Sequence, residues 1–107
     1  IVVQKIKTKK MKVSVQNVGL SAKQPLLDLL QEKLDSLDRF SDRILEAKVT
    51  LKIDKADDRQ NKIMEVRLVI PGNDLFVKKH GATFEELVSK IVDTLQREIV
   101  DWKERQR

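Results

Sequence analysis

The 107-residue chain has no cysteine, a single histidine, three glycines and two prolines. Each scarcity removes some chemistry. Without cysteine there is no disulfide, no thiolate nucleophile and no cysteine-held zinc. The histidine, His80, falls at a strand-to-helix junction, where an ordinary surface position explains it better than a catalytic base. Gly19, Gly72 and Gly81 stand far apart, so none builds a loop that could cradle a phosphate. No apolar run nears the roughly 20 residues of a membrane helix. The first stretch is basic but lacks the apolar centre of a secretory signal. The sequence therefore argues against an enzyme, a cofactor or metal, a membrane span and a small-molecule substrate. A reducing cytoplasm suits a chain without cysteine.

What is present is a dense charged surface around an adequate core. Apolar residues make up 40% and charged residues 36% of the chain, as expected of one small globular domain. The net charge is +5, from 22 basic and 17 acidic residues. Lys5, Lys7, Lys9 and Lys10 supply four of those cations, and without them the balance falls to 18 against 17. The high isoelectric point is thus mostly a property of the first ten residues. A nucleic-acid partner has to be argued from where charges lie in the fold.

From Met11 the pattern becomes structural. Residues 12–16 alternate polar and apolar, the period of a half-buried strand. After the break at Val18-Gly19-Leu20, Ser21 and Gln24 have the spacing of a capping box, and Pro25 fits a first helical turn. Leu26, Leu27, Leu30, Leu34 and Leu37, with Phe40 beyond, mark one apolar stripe and predict a helix over about 22–39. Ala47, Val49, Leu51 and Ile53 alternate inward along a second strand, and Met64, Val66, Leu68 and Ile70 along a third. The polar segment 54–61 joins them as a hairpin loop. It is not a calcium loop: Asp54, Asp58 and Glu65 fit an EF-hand count, but Ala56 and Arg59 stand where a ligand and the turn glycine are needed. Pro71-Gly72-Asn73-Asp74 is a turn, followed by a short strand over about 75–79.

Thr83 and Glu86 announce a second helix, with Phe84, Leu87, Val88, Ile91, Leu95, Ile99 and Trp102 as its stripe. About 21 residues give a helix of roughly 30 Å, against roughly 23 Å for a seven-residue strand. Its last turns, with Trp102, Lys103, Arg105 and Arg107, should overhang the sheet. Core packing is the default for Trp102, and stacking on a base is the alternative. The predicted fold is α+β: a β-α-β-β-β-α two-layer sandwich with two helices on one face of a four-stranded sheet. The other face is left open and polar, carrying Lys48, Thr50, Lys52, Glu65 and Arg67.

The cations available for binding are Lys33 and Arg39 on the first helix, Lys78 and Lys79 before the second, and Lys90, Arg97, Lys103 and Arg105 along it. Glu98, Asp101 and Glu104 interleave with the last of these, so from composition alone an ordinary solvated, ion-paired surface is the default explanation.

Several stretches resemble one family. They are Met11 to Val15, Leu34-Asp35-Ser36-Leu37-Asp38-Arg39-Phe40, Asn61 to Val66, Val69 to Lys79, Thr83-Phe84-Glu85-Glu86 and Leu95-Gln96-Arg97-Glu98. In order and spacing they are similar to the short bacterial ribosome hibernation factors. These form the hibernation-promoting factor and protein Y group, also called sigma-factor modulation proteins. The resemblance spans about residues 11–105. It implies a sandwich similar to double-stranded RNA-binding domains, docked on small-subunit rRNA of the assembled ribosome, in the channel of mRNA and tRNA. It implies reversible inhibition of translation under stress or in stationary phase, without catalysis. It also implies that Lys33, Arg39, Lys78, Lys79 and Arg97 occupy basic positions of the family, while Ser36 and Thr94 replace lysines. Asp28, Glu32, Asp35 and Asp38 make the first helix acidic, which shifts the expected rRNA contact to Lys90, Arg97, Lys103 and Arg105. Residues 1–10 are expected to be a flexible basic leader, and 11–107 a single ribosome-binding domain of the short form, without the dimerisation domain of longer members. The competing reading is a protein-binding regulator of sigma-factor modulator type, acting through the sheet face or as a homodimer.

Overall fold

The computed structural model describes residues 2–6, 11–41, 43–56 and 59–105. In chain order the elements are β1 (Val2–Ile6), β2 (Lys12–Asn17), α1 (Gln24–Asp35), a 3-10 turn (Ser36–Arg39), β3 (Glu46–Ile53), β4 (Lys62–Val69), β5 (Leu75–Gly81) and α2 (Phe84–Arg105). Side chains are described from Met11 onward. The strands and helices expected from the hydrophobic periods form as β2–β5 and α1–α2. β1 adds a further edge strand, antiparallel to β2, from within the segment expected to be a leader. Residues 1 and 7–10 of that segment lie outside the described residues.

The sheet order is β1-β2-β3-β4-β5. β2 and β3 are parallel, joined by the α1 crossover, and the remaining neighbours are antiparallel. Alternation sends Val13 and Val15, Ala47, Val49 and Leu51, Met64, Val66 and Leu68, and Leu75 and Val77 to one face. There they meet Leu26, Leu30, Leu34 and Leu37 of the first helical segment and the whole stripe of α2 in a single core. Both helices thus cover one face and leave the other to solvent.

Three expectations change. Ser21 does not cap α1: Lys23 occupies that position without a side-chain bond, and Gln24 donates forward to Asp28 at 2.8 Å. Pro25 lacks one of the N–H groups a cap would serve, and Leu26 and Leu27 donate to the Lys23 carbonyl at 3.1 and 3.2 Å. The helical stretch 22–39 is in fact α-helical only over Gln24–Asp35 before tightening into the 3-10 turn. Ile53, expected inside, is exposed at the last position of β3. α2 does begin as anticipated, with the Glu86 N–H donating to Thr83 Oγ1 at 3.1 Å. Pro71-Gly72 makes a tight turn, in which the Asn73 N–H reaches the Ile70 carbonyl at 3.4 Å and Gly72 takes φ +81°. That positive φ at the third position is what a type II turn needs from glycine.

Candidate nucleic-acid interface

Helical spacing puts Lys33, Ser36 and Arg39 in line on the side of the first helical segment that faces α2. Ser89, Val92, Asp93 and Gln96 complete a shallow groove of about 190 Å³ between them. Arg39 donates from Nε to the Ser36 carbonyl at 3.4 Å and lies 5.9 Å from the Phe40 ring centre. These contacts orient the guanidinium without neutralising it. Among the described residues Asp93 is the one carboxylate lining the groove.

Along α2, Lys90 and Arg97 are two turns apart and share its outer face. Their surroundings differ. Lys90 is paired with Glu86 at 2.6 Å, an exposed i,i+4 bridge of a kind that contributes about 0.3–0.5 kcal/mol and exchanges easily for a phosphate. Among the described residues Arg97 reaches only the Thr94 hydroxyl, at 3.4 Å. Lys103 is exposed near the helix end. Arg105 lies on the opposite flank of the helix, in a cleft of about 370 Å³ with Asp74, Glu98 and Asp101, where carboxylates temper its charge. Arg107 lies outside the described residues.

The period of a strand separates the two consecutive lysines of β5. Lys79 is in register with buried Met64, on the helix side, and is half-buried. Lys78 is in register with Glu65, on the open side, with Nζ 4.0 Å from the carboxylate. The eight basic positions singled out in the sequence therefore do not converge on one tip. Lys33 and Arg39 share a groove, Lys90 and Arg97 share a helix face, and Lys78 belongs to the other side of the molecule.

Trp102, expected on an overhanging end, is buried at 2% exposure. From the stretch before β3, the Arg43 guanidinium sits 5.1 Å from the indole ring centre, and Ile44 joins the same core. Trp102 is a core residue. Its place in the α2 stripe made core packing the default, and the structure agrees; what the sequence could not show is that Arg43 covers the indole, because the segment before β3 has no periodicity of its own. Among the described residues no group of three or more histidine, aspartate or glutamate side chains could hold a metal, and no helix is long and apolar enough to cross a membrane.

Comparison with known proteins decides the family. Residues 13–107 match the model of the family described as sigma 54 modulation protein / S30EA ribosomal protein. The chain belongs to this family. The S30EA match covers α1, α2 and β3–β5 entirely, and all of β2 except Lys12. The chain is similar to a ribosome hibernation promotion factor of Deinococcus radiodurans, 33% identical over 95 residues, which are 87% of this chain and 48% of that protein. It thus spans about half the length of that relative. It is also similar to a ribosome hibernation promoting factor of Pseudomonas putida, 26% identical over 97 residues, 91% of each. Two solved structures share the fold. The Thermus thermophilus protein Y N-terminal domain matches with a TM-score of 0.70 at 24% identity, over 82% of this chain and 93% of that one. A ribosomal subunit interface protein from Coxiella burnetii matches with a TM-score of 0.73 at 17% identity, over 86% and 97%.

Proposed function

We propose that this S30EA-family domain is a ribosome hibernation factor. In this reading it binds the small ribosomal subunit in the channel of mRNA and tRNA and inhibits translation reversibly, in the cytoplasm. The observation that carries the reading is the family match over 13–107, together with relatives named for ribosome hibernation along nearly the same span. The helix layer supports it physically. Lys33, Arg39, Arg97 and Lys103 form no ion pair among the described residues, and the bridge that holds Lys90 is weak enough to yield to a phosphate. Folded rRNA offers phosphates at fixed positions, so individual cations held in place on a rigid helix layer, among carboxylates that repel misplaced phosphates, would recognise shape more than base sequence. The action is occupancy, with no bond made or broken.

Co-sedimentation of the purified protein with isolated small subunits tests it. Each phosphate contact contributes roughly 0.7 to 0.9 to the slope of log affinity against log salt. Several contacts should therefore give a slope steeper than about two. Reversing Arg97 and Lys103 to glutamate should abolish pelleting at moderate salt. Binding indifferent to salt, or unchanged in that double variant, would refute the helix-layer assignment.

A further inference from the structure

The face of the sheet opposite the helices carries charge that the fold does not need. In register across β2 to β5 runs the row Ser14, Lys48, Arg67, Phe76. Lys48 and Arg67 are directly opposed on neighbouring central strands, and like charges in that position destabilise a sheet. A local choice that opposes the fold is expected where a site is being built. The next row holds Glu65, whose one carboxylate oxygen serves both Lys52 at 2.9 Å and Lys78 at 4.0 Å, so cation exceeds anion there too. Lys48 has no ion-pair partner among the described residues.

The same row ends at Phe76 on the edge strand, whose ring also borders the cleft that holds Arg105, Asp74, Glu98 and Asp101. Phe76 is 46% exposed, a large fraction for a phenylalanine in a strand. The Arg67 guanidinium lies 5.2 Å from its ring centre and is held from the side by Asp74 at 3.7 Å. The guanidinium lies over the ring, with Lys48 in register beside Arg67 and Lys78 two residues along β5 from Phe76 on the same face.

We propose that this open sheet face is a second binding surface, specific for single-stranded RNA: bases stack on the Arg67–Phe76 pair while Lys48 and Lys78 take the adjoining phosphates. Planar stacking surfaces set among cations are what an unpaired strand needs. A duplex hides its base faces and gains nothing from the platform. An acidic peptide would use the lysines but leave the planes idle. The surface lies on the far side of the sheet from the helix groove, so it can be tested apart from the ribosome reading.

The test is fluorescence anisotropy with a labelled single-stranded oligouridylate of about eight nucleotides. The expected result is salt-sensitive binding that weakens roughly tenfold in Phe76→Leu, which keeps apolar bulk but loses the aromatic face. A similar loss is expected in Arg67→Lys, which keeps charge and loses the plane. Lys48→Gln should lower the salt slope by about 0.7. Arg97→Ala, in the helix layer, should bind the strand like the parent, and amide NMR shifts on titration should concentrate in β3–β5. Thermal melts of each variant identify any that fail to fold, and the NMR titration of the parent protein stands without them. No binding of the oligonucleotide overturns the proposal. So does a blunt duplex that binds as tightly, parental binding by Phe76→Leu, equal competition by polyglutamate, or shifts confined to α1 and α2. Loss of strand binding in Phe76→Leu with ribosome co-sedimentation intact would show the two surfaces to be separate.

Discussion

Gly81 leaves no room for a methyl group. A Cβ built there falls 2.9 Å from Cδ2 and 3.1 Å from Cγ of Leu87, which is fully buried and has nowhere to move. Gly81→Ala should therefore destabilise the domain by about 1–3 kcal/mol through overpacking, read as a lowered melting temperature. Gly72 differs: a Cβ there meets nothing within 4 Å, and only its φ of +81° resists substitution. Trp102 holds the end of α2 against the core, and Trp102→Ala should cost about 3–5 kcal/mol in chemical denaturation followed by circular dichroism. Arg43→Ala, which removes only the cation above the indole, should cost about 0.5–1 kcal/mol. If the Arg43 and Trp102 changes proved equal, the assignment of Trp102 to the core would fail.

α2 shows how far a local pattern reaches. Its stripe and its hydroxyl cap are written in consecutive residues, and both form as the spacing requires. Thr83→Ala should weaken the domain by about 1 kcal/mol in the same denaturation assay. Half of the expected capping box is replaced, because Glu86 turns toward Lys90 and not back to the cap. At the start of α1 the same motif fails outright, since Pro25 shifts the first turn and the Lys23 carbonyl takes the bonds. In β5 the neighbours Lys78 and Lys79 look like one basic cluster in the sequence, yet the pleat assigns them to opposite faces. Charge reversal of each alone should separate them in the two assays above. Lys78→Glu should impair strand binding by the open face and leave small-subunit pelleting nearly unchanged.

Taken whole, the two proposed binding surfaces stand back to back with the sheet between them, and the helix layer offers discrete cations set among a larger number of carboxylates. In the proposed ribosome complex the helix layer meets rRNA, and translation in a purified system should fall as protein is added in excess of ribosomes. Replacing Lys7, Lys9 and Lys10 with glutamine should change that inhibition less than reversing Arg97 and Lys103. The opposite ranking would move the principal contact to the first ten residues, where most of the net charge resides.

The sequence by itself determined the elements, their inward faces and the two-layer class, because hydrophobic period, caps and turn residues act over a few neighbours. It also carried the family, through the order of several short stretches. Only the tertiary structure decided which cations share a surface, that Arg43 covers the Trp102 indole, that Val2–Ile6 joins the sheet as β1, and that Lys48, Arg67 and Phe76 stand in one row. Those facts depend on strand register and on a covering segment without periodicity. Both are set by packing between residues far apart in the chain.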